Sequence, residues 1–150
     1  MDNIEFSNMT LQDFEKIKDN LISDFDDFWS PQILKSELIG ENKKYIVAKQ
    51  NEQIVGFAGV LLNIDEAEIL NIVTKKEMRQ KGIGTLLLKK IMEICKKENI
   101  QKIFLEVNEK NAEAVKLYEK ACFEKISTRR KYYNSRDDAI IMMNCNFQKN

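Results

Sequence analysis

The sequence contains no histidine. That absence removes Ser-His-Asp and Cys-His nucleophilic units, together with every metal centre that depends on imidazole. Acid–base chemistry is left to carboxylates, Tyr, Lys, Cys or bound water. Cysteine is sparse: Cys95, Cys122 and Cys145 lie far apart and form no C-x-x-C pair. Neither a zinc cage nor a dithiol redox pair is expected, and no metal is. The polar, acidic start MDNIEFSNMT does not read as an export signal, so three reduced thiols in a cytoplasm are expected. One Pro and five Gly leave no obvious linker. No apolar run approaches the ~18 residues of a membrane span, so no membrane partner is expected. Neither sign of charge prevails, with 24 basic and 24 acidic residues. Phosphate-backbone binding needs a basic excess, which argues against nucleic acid as the main ligand.

What is present is ample apolar material in a well-ordered pattern. Hydrophobic residues make up 43% and charged residues 32% of 150 residues. This suits one globular domain over residues 1–150. Ile4 and Phe6 alternate with polar neighbours, as in a first strand over 3–8. Leu11, Phe14, Ile17, Leu21 and Ile22 recur at helical spacing after a cap at Asn8 or Thr10. Ser30-Pro31 opens a second helix with Ile33, Leu34, Leu38 and Ile39 inward, ended by Gly40. Strands over 45–49 and 54–62 form a hairpin at Asn51-Glu52, and Gly56 and Gly59 in the second mark a bulge or a close backbone approach. A strand over 66–74, a strongly amphipathic helix over about 82–99 and a strand over 102–107 follow. A helix over 111–121 and a closing pair of strands over 123–133 and 138–147 complete the chain. The order β-αα-βββ-α-β-α-ββ is α+β with a mixed central sheet.

Arg79-Gln80-Lys81-Gly82-Ile83-Gly84 lies between a strand and a helix. Glycines there allow a tight turn and a close ligand approach. The N–H groups that open the helix then converge, with its dipole, on one anion position suited to a pyrophosphate. A helix entry that merely tolerates Gly is the plainer alternative. The spacing is neither a P-loop nor a dinucleotide-binding fingerprint.

Strand–R-x-x-G-x-G–helix resembles the acetyl-coenzyme A motif of the GNAT acetyltransferases. Other segments resemble that superfamily in order: IVGFAG (54–59), EILNIVT (68–74) and LEVNEKNAEAVKLYEK (105–120). Within it, the chain is most similar to the RimI family of bacterial ribosomal-protein-alanine N-acetyltransferases. The run Arg129-Arg130-Lys131-Tyr132-Tyr133 and the later Asp138-Ala139-Ile140-Ile141-Met142 resemble that family's closing motifs. Phe28-Trp29-Ser30 resembles its early F-P-W-S. There are departures: Asn108 stands where the family has Arg, Lys75-Lys76 replaces Asp-Pro, Cys122 replaces Gly and Asp137 replaces Glu.

The resemblance implies a GNAT fold, with a mixed, mostly antiparallel sheet of about seven strands flanked by about four helices. It implies acetyl-CoA as co-substrate and a protein N-terminus, that of a ribosomal protein beginning with Ala, as acceptor. Glu106 is implied as general base and Tyr118 as general acid. Ile72, Val73 and Thr74 would pair with pantetheine as a surrogate edge strand. Arg79, Gln80, Lys81, Gly82, Ile83, Gly84 and Thr85 would hold the pyrophosphate, and Asn111 would also contact the coenzyme. Trp29, Tyr132 and Tyr133 would border the acceptor peptide. Read without the resemblance, Glu106 is a solvated strand residue, Tyr118 a core residue and Asn111 a helix cap. A GNAT acting on a polyamine, an amino sugar or a lysine is the alternative, and a non-catalytic coenzyme-binding module is a further one. Oligomeric state stays open between monomer and weak dimer.

Overall fold

The structure is a computed structural model that describes residues 3–25, 30–133 and 137–149, without the side chains of 131–133 and 149. Seven strands and four α-helices follow in the anticipated order: β1 (Ile4–Asn8), α1 (Leu11–Ile17), α2 (Pro31–Leu38), β2 (Lys43–Gln50), β3 (Gln53–Leu62), β4 (Glu66–Thr74), α3 (Ile83–Lys97), β5 (Lys102–Asn108), α4 (Ala112–Lys120), β6 (Glu124–Tyr133) and β7 (Asp137–Asn144). They build a mixed sheet in the order β1-β2-β3-β4-β5-β7-β6. β4 and β5 run parallel, whereas β1–β2, β2–β3, β5–β7 and β6–β7 are antiparallel. The last strand in sequence thus inserts between β5 and β6.

The chain divides into two compact units. One comprises residues 1–61 and 70–91, the other 62–69 and 92–150. The first unit has a core of Phe14, Ile17, Leu21, Phe25, Leu34, Tyr45, Val47, Phe57 and Val73. Local chemistry fixes its helix starts. Thr10 and Asp13 close a reciprocal capping box at α1, with Thr10 Oγ1 accepting from Asp13 N and Asp13 Oδ2 accepting from Thr10 N. Ser30 Oγ accepts from Ile33 N ahead of Pro31 at the start of α2. Asn51 and Glu52 both take positive φ (52° and 68°), as a two-residue hairpin turn of the primed type requires.

The expectation of a continuous first helix through Leu21 and Ile22 is corrected. α1 ends at Ile17, and the chain continues as a 3-10 turn (Lys18–Asn20) and a π-turn (Leu21–Phe25). The changed winding buries Leu21 and Phe25, four residues apart, and leaves Ile22 57% exposed. Ile33 and Ile39, expected to face inward, are 50% and 68% exposed. The short α2 turns one face to the core, through Leu34 and Leu38, and Ile39 lies beyond its last turn.

In the second unit the inward residues of β5, Ile103, Leu105 and Val107, are buried with Tyr118, Phe123, Met142 and Phe147. α3 and α4 both end in a Schellman arrangement without glycine. Ile100 N donates to Cys95 O and Asn99 N to Lys96 O; Phe123 N donates to Tyr118 O and Cys122 N to Glu119 O. Asn99 (φ 59°) and Cys122 (φ 69°) take the left-handed positions. No helix among the described residues is long and apolar enough to cross a membrane.

Candidate active site

The residues singled out from the sequence fall into two groups, one in each unit. In the first unit β4 ends with Ile72 and Thr74 half-buried and Val73 buried. Gly56 on β3 faces this end: a Cβ there would lie 2.9 Å from the Val73 carbonyl oxygen and 3.0 Å from Leu87. Only glycine therefore lets β3, β4 and α3 approach so closely. Lys75 N donates to Val55 O at 2.8 Å, which carries the β3–β4 contact one residue past the end of β4.

A 3-10 turn (Lys76–Met78) leads to the R-x-x-G-x-G segment. Gln80 (φ 64°) and Gly82 (φ 85°) take left-handed backbone conformations, and nothing lies within 4 Å of where a Gly82 side chain would begin. The glycine is thus required by the backbone turn rather than by crowding. α3 starts at the next residue, and Leu86 N closes its first turn on Gly82 O. The first-turn N–H groups, including those of Gly84 and Thr85, have no intrahelical acceptor. These donors open a helix directly after a left-handed turn, an arrangement suited to an anion. Lys81, Gly82 and Thr85 are exposed. The segment is anchored from behind. Arg79 Nη2 donates to Phe25 O at 2.9 Å and Lys76 Nζ to Ile22 O at 3.1 Å. The Arg79 guanidinium therefore engages the π-turn that follows α1.

In the second unit Glu106 lies on the half-buried face of β5, alternating with buried Leu105 and Val107. Its Oε1 pairs with Arg129 Nη2 at 3.0 Å. The sheet order explains this contact. Glu106 is opposite Ile141 and Arg129 is opposite Ala139, so carboxylate and guanidinium meet diagonally across β7. The sequence places Arg129 in a family-like run but gives it no role, because the pairing depends on β7 lying between the two strands. On the same face Asn108 Nδ2 donates to Asp137 Oδ2, and Lys110 Nζ pairs with Asp137 Oδ1 at 3.0 Å. Two of the departures from the family pattern, Asn108 and Asp137, are thus hydrogen-bonded to each other.

Tyr118 is 7% exposed on α4, with its ring edge-on to Phe123 at 5.8 Å between centroids. The Schellman turn that brings Phe123 back also fixes Tyr118. Asn111 Oδ1 accepts from Ala114 N at 3.1 Å, so Asn111 caps α4. Trp29 lies outside the described residues. Tyr132 and Tyr133 lie in β6, but their side chains lie outside the described residues. Cys95 is fully buried, and burial pushes its thiol up to about 12. It is no thiolate nucleophile. Among the described residues no group of His, Cys, Asp and Glu could hold a metal ion.

The profile of the acetyltransferase (GNAT) family matches residues 8–122 of this chain. The chain belongs to the GNAT acetyltransferase family. It is an N-acetyltransferase with a GNAT fold. It is 33% identical over 117 residues to the [ribosomal protein bS18]-alanine N-acetyltransferase of Escherichia coli, covering 76% of this chain and 78% of that one. It is 35% identical over 120 residues to the Haemophilus influenzae enzyme of the same name, covering 76% and 80%. The crystal structure of the E. coli ribosomal-protein-S18-alanine N-acetyltransferase superposes with a TM-score of 0.85 at 29% identity, covering 94% of this chain and 92% of that chain.

Proposed function

We propose that this GNAT enzyme transfers the acetyl group of acetyl-CoA directly to the N-terminal α-amine of a protein, a ribosomal protein that begins with Ala. The observation that carries the reading is the Glu106 carboxylate, presented on a half-buried strand face and paired with the Arg129 guanidinium, in a chain with no histidine. The similarity to two [ribosomal protein bS18]-alanine N-acetyltransferases over three-quarters of the chain supports this choice of acceptor.

In this reading the whole chain acts as one catalytic domain in the cytoplasm. Ile72, Val73 and Thr74 offer backbone groups to pantetheine, and one of their N–H groups holds the negative charge that develops on the thioester oxygen. The donors from Gln80 to Thr85, with Lys81 beside them, hold the pyrophosphate; Arg79 shapes that turn through its bond to Phe25. Asn111 contacts the coenzyme while capping α4. Glu106 takes the proton from the attacking amine, directly or through one water, as the C–N bond forms. Tyr118 gives its phenol proton to the coenzyme A thiolate as the C–S bond breaks. Trp29, Tyr132 and Tyr133 border the acceptor peptide.

The acceptor follows from proton availability. Glu is a weak base at neutral pH, with an unperturbed pKa of ~4.3. An α-amine, at ~7.7–8.0, is already about one-tenth neutral at pH 7, whereas a lysine, at ~10.4, is neutral to well under about one part in a thousand. A carboxylate base is thus matched to an N-terminus. The test is thiol release from acetyl-CoA with a hexapeptide beginning Ala-Arg, its N-terminally blocked copy carrying one Lys, and spermidine. Turnover on the free N-terminus alone is expected, with Glu106→Gln and Tyr118→Phe each lowering kcat by about 10²–10⁴. Turnover on lysine or spermidine alone would discard the acceptor assignment. Coenzyme binding without any turnover would indicate a non-catalytic module.

A further inference from the structure

β4 carries a second polar group, separate from the backbone donors at its end. Tyr45 is buried at 4% exposure, with its ring laid over Gly59, where a Cβ would come within 2.3 Å of the phenol carbon. The phenol OH donates to Glu37 Oε1 at 3.1 Å, and Glu37 Oε2 is paired with Lys43. A carboxylate in an ion pair can only accept, so the Tyr45 proton is committed to it. The phenol oxygen is left as an acceptor, and Asn71 Nδ2 donates to it at 2.9 Å. This sequence of donors fixes which way the Asn71 amide points. Its Oδ1 is turned away from Tyr45, buried, and without a hydrogen-bond partner among the described residues. An unmet buried carbonyl is costly, and its amide cannot flip without losing the Tyr45 bond.

Asn71 immediately precedes Ile72–Thr74 on β4, and its side chain is held by groups of the same unit. We infer that Asn71 Oδ1 is a substrate-binding acceptor that takes a hydrogen bond from the primary amine to be acetylated. The inference rests on the acetyl-transfer reading above and adds the residue that orients the nucleophile. The chemistry suits the task. A neutral amine has two N–H bonds to place and must keep its lone pair free for the thioester carbon. An amide oxygen holds one of those N–H bonds without favouring the ammonium form, as a carboxylate would. Glu37, Tyr45 and Lys43 then serve as positioning residues, because they fix the Asn71 rotamer.

The test compares wild type with Asn71→Ala and Asn71→Asp in steady-state kinetics, using the Ala-Arg hexapeptide and spermidine as acceptors, with thermal unfolding measured alongside. Asn71→Ala should raise KM for the acceptor about fivefold to tenfold, the loss of one neutral hydrogen bond, while KM for acetyl-CoA stays within about twofold. Asn71→Asp keeps an oxygen at the position but adds charge that stabilises the ammonium form. Its kcat/KM profile should move to higher pH by about one unit, which a structural role alone would not produce. An unchanged acceptor KM in Asn71→Ala, or an unmoved pH profile in Asn71→Asp, would overturn the inference and leave Oδ1 with a water. Either variant suffices if the other does not fold. If wild type acetylates neither acceptor, the functional reading falls and takes this inference with it. If wild type is active and the variants match it, only this inference falls.

Discussion

Arg129 bears on the proposed base through an ion pair. Its guanidinium holds Glu106 Oε1 at 3.0 Å, on an arginine whose side chain is half exposed. Glu106 is partly exposed, and this ion pair constrains its rotamer. Arg129→Met should lower kcat by about tenfold through loss of orientation, well short of the effect of Glu106→Gln, with KM for acetyl-CoA unchanged. Equal losses in both variants would mean that Arg129 contacts the reacting groups itself. The family resemblance singles out the carboxylate and the phenol, whereas periodicity alone reads them as a solvated strand residue and a core residue. Neither reading gives Arg129 a role. Its contact arises from strand order, which no local pattern encodes.

Helix ends are the weak and the strong points among the elements. Cys122 follows α4 with φ 69°, a conformation that costs a non-glycine residue about 1 kcal/mol. Cys122→Gly should raise stability by about 0.5–1 kcal/mol, roughly 1–4 °C in melting temperature. An unchanged or lower melting temperature would show that unfolded-chain entropy outweighs the relieved strain. The start of α1 shows the opposite balance. Asp13 is buried, which pushes its carboxyl up, but the Thr10 N–H and the Lys49 ammonium at 2.9 Å bring it below the usual carboxylate range. A depressed carboxyl adds stability that is complete above its unfolded value, ~3.9, and is lost as pH falls through its folded value. Asp13→Asn should therefore cost about 1–3 kcal/mol at neutral pH, with the difference from wild type shrinking below pH ~4 in urea titrations. The Thr10 cap was legible as one of two choices. The winding of residues 18–25 was not, because the same apolar residues suit one continuous helix as well as a 3-10 turn followed by a π-turn.

Across the whole molecule, the order of elements was readable because each has a distinct period and clear breakers. The division into two units was not, since residues 62–69, from the end of β3 into β4, group with residues far later in the chain. Coenzyme binding gives a test at this scale. Acetyl-CoA at about 100 times its Kd should add about 2.7 kcal/mol to the unfolding free energy. Gly82→Val should weaken that response by forcing a branched side chain into φ 85°. An equal thermal shift in the variant would move the pyrophosphate elsewhere.

The place of β7 between β5 and β6 also sets an order in time. On a growing chain β6 emerges before β7, yet every ladder bond that ties β6 to the sheet runs through β7. Until residues 137–144 have been made, β6 is a strand without a ladder, and Arg129 has no route to Glu106. The ion pair that orients the proposed base is therefore among the last contacts the nascent chain can form.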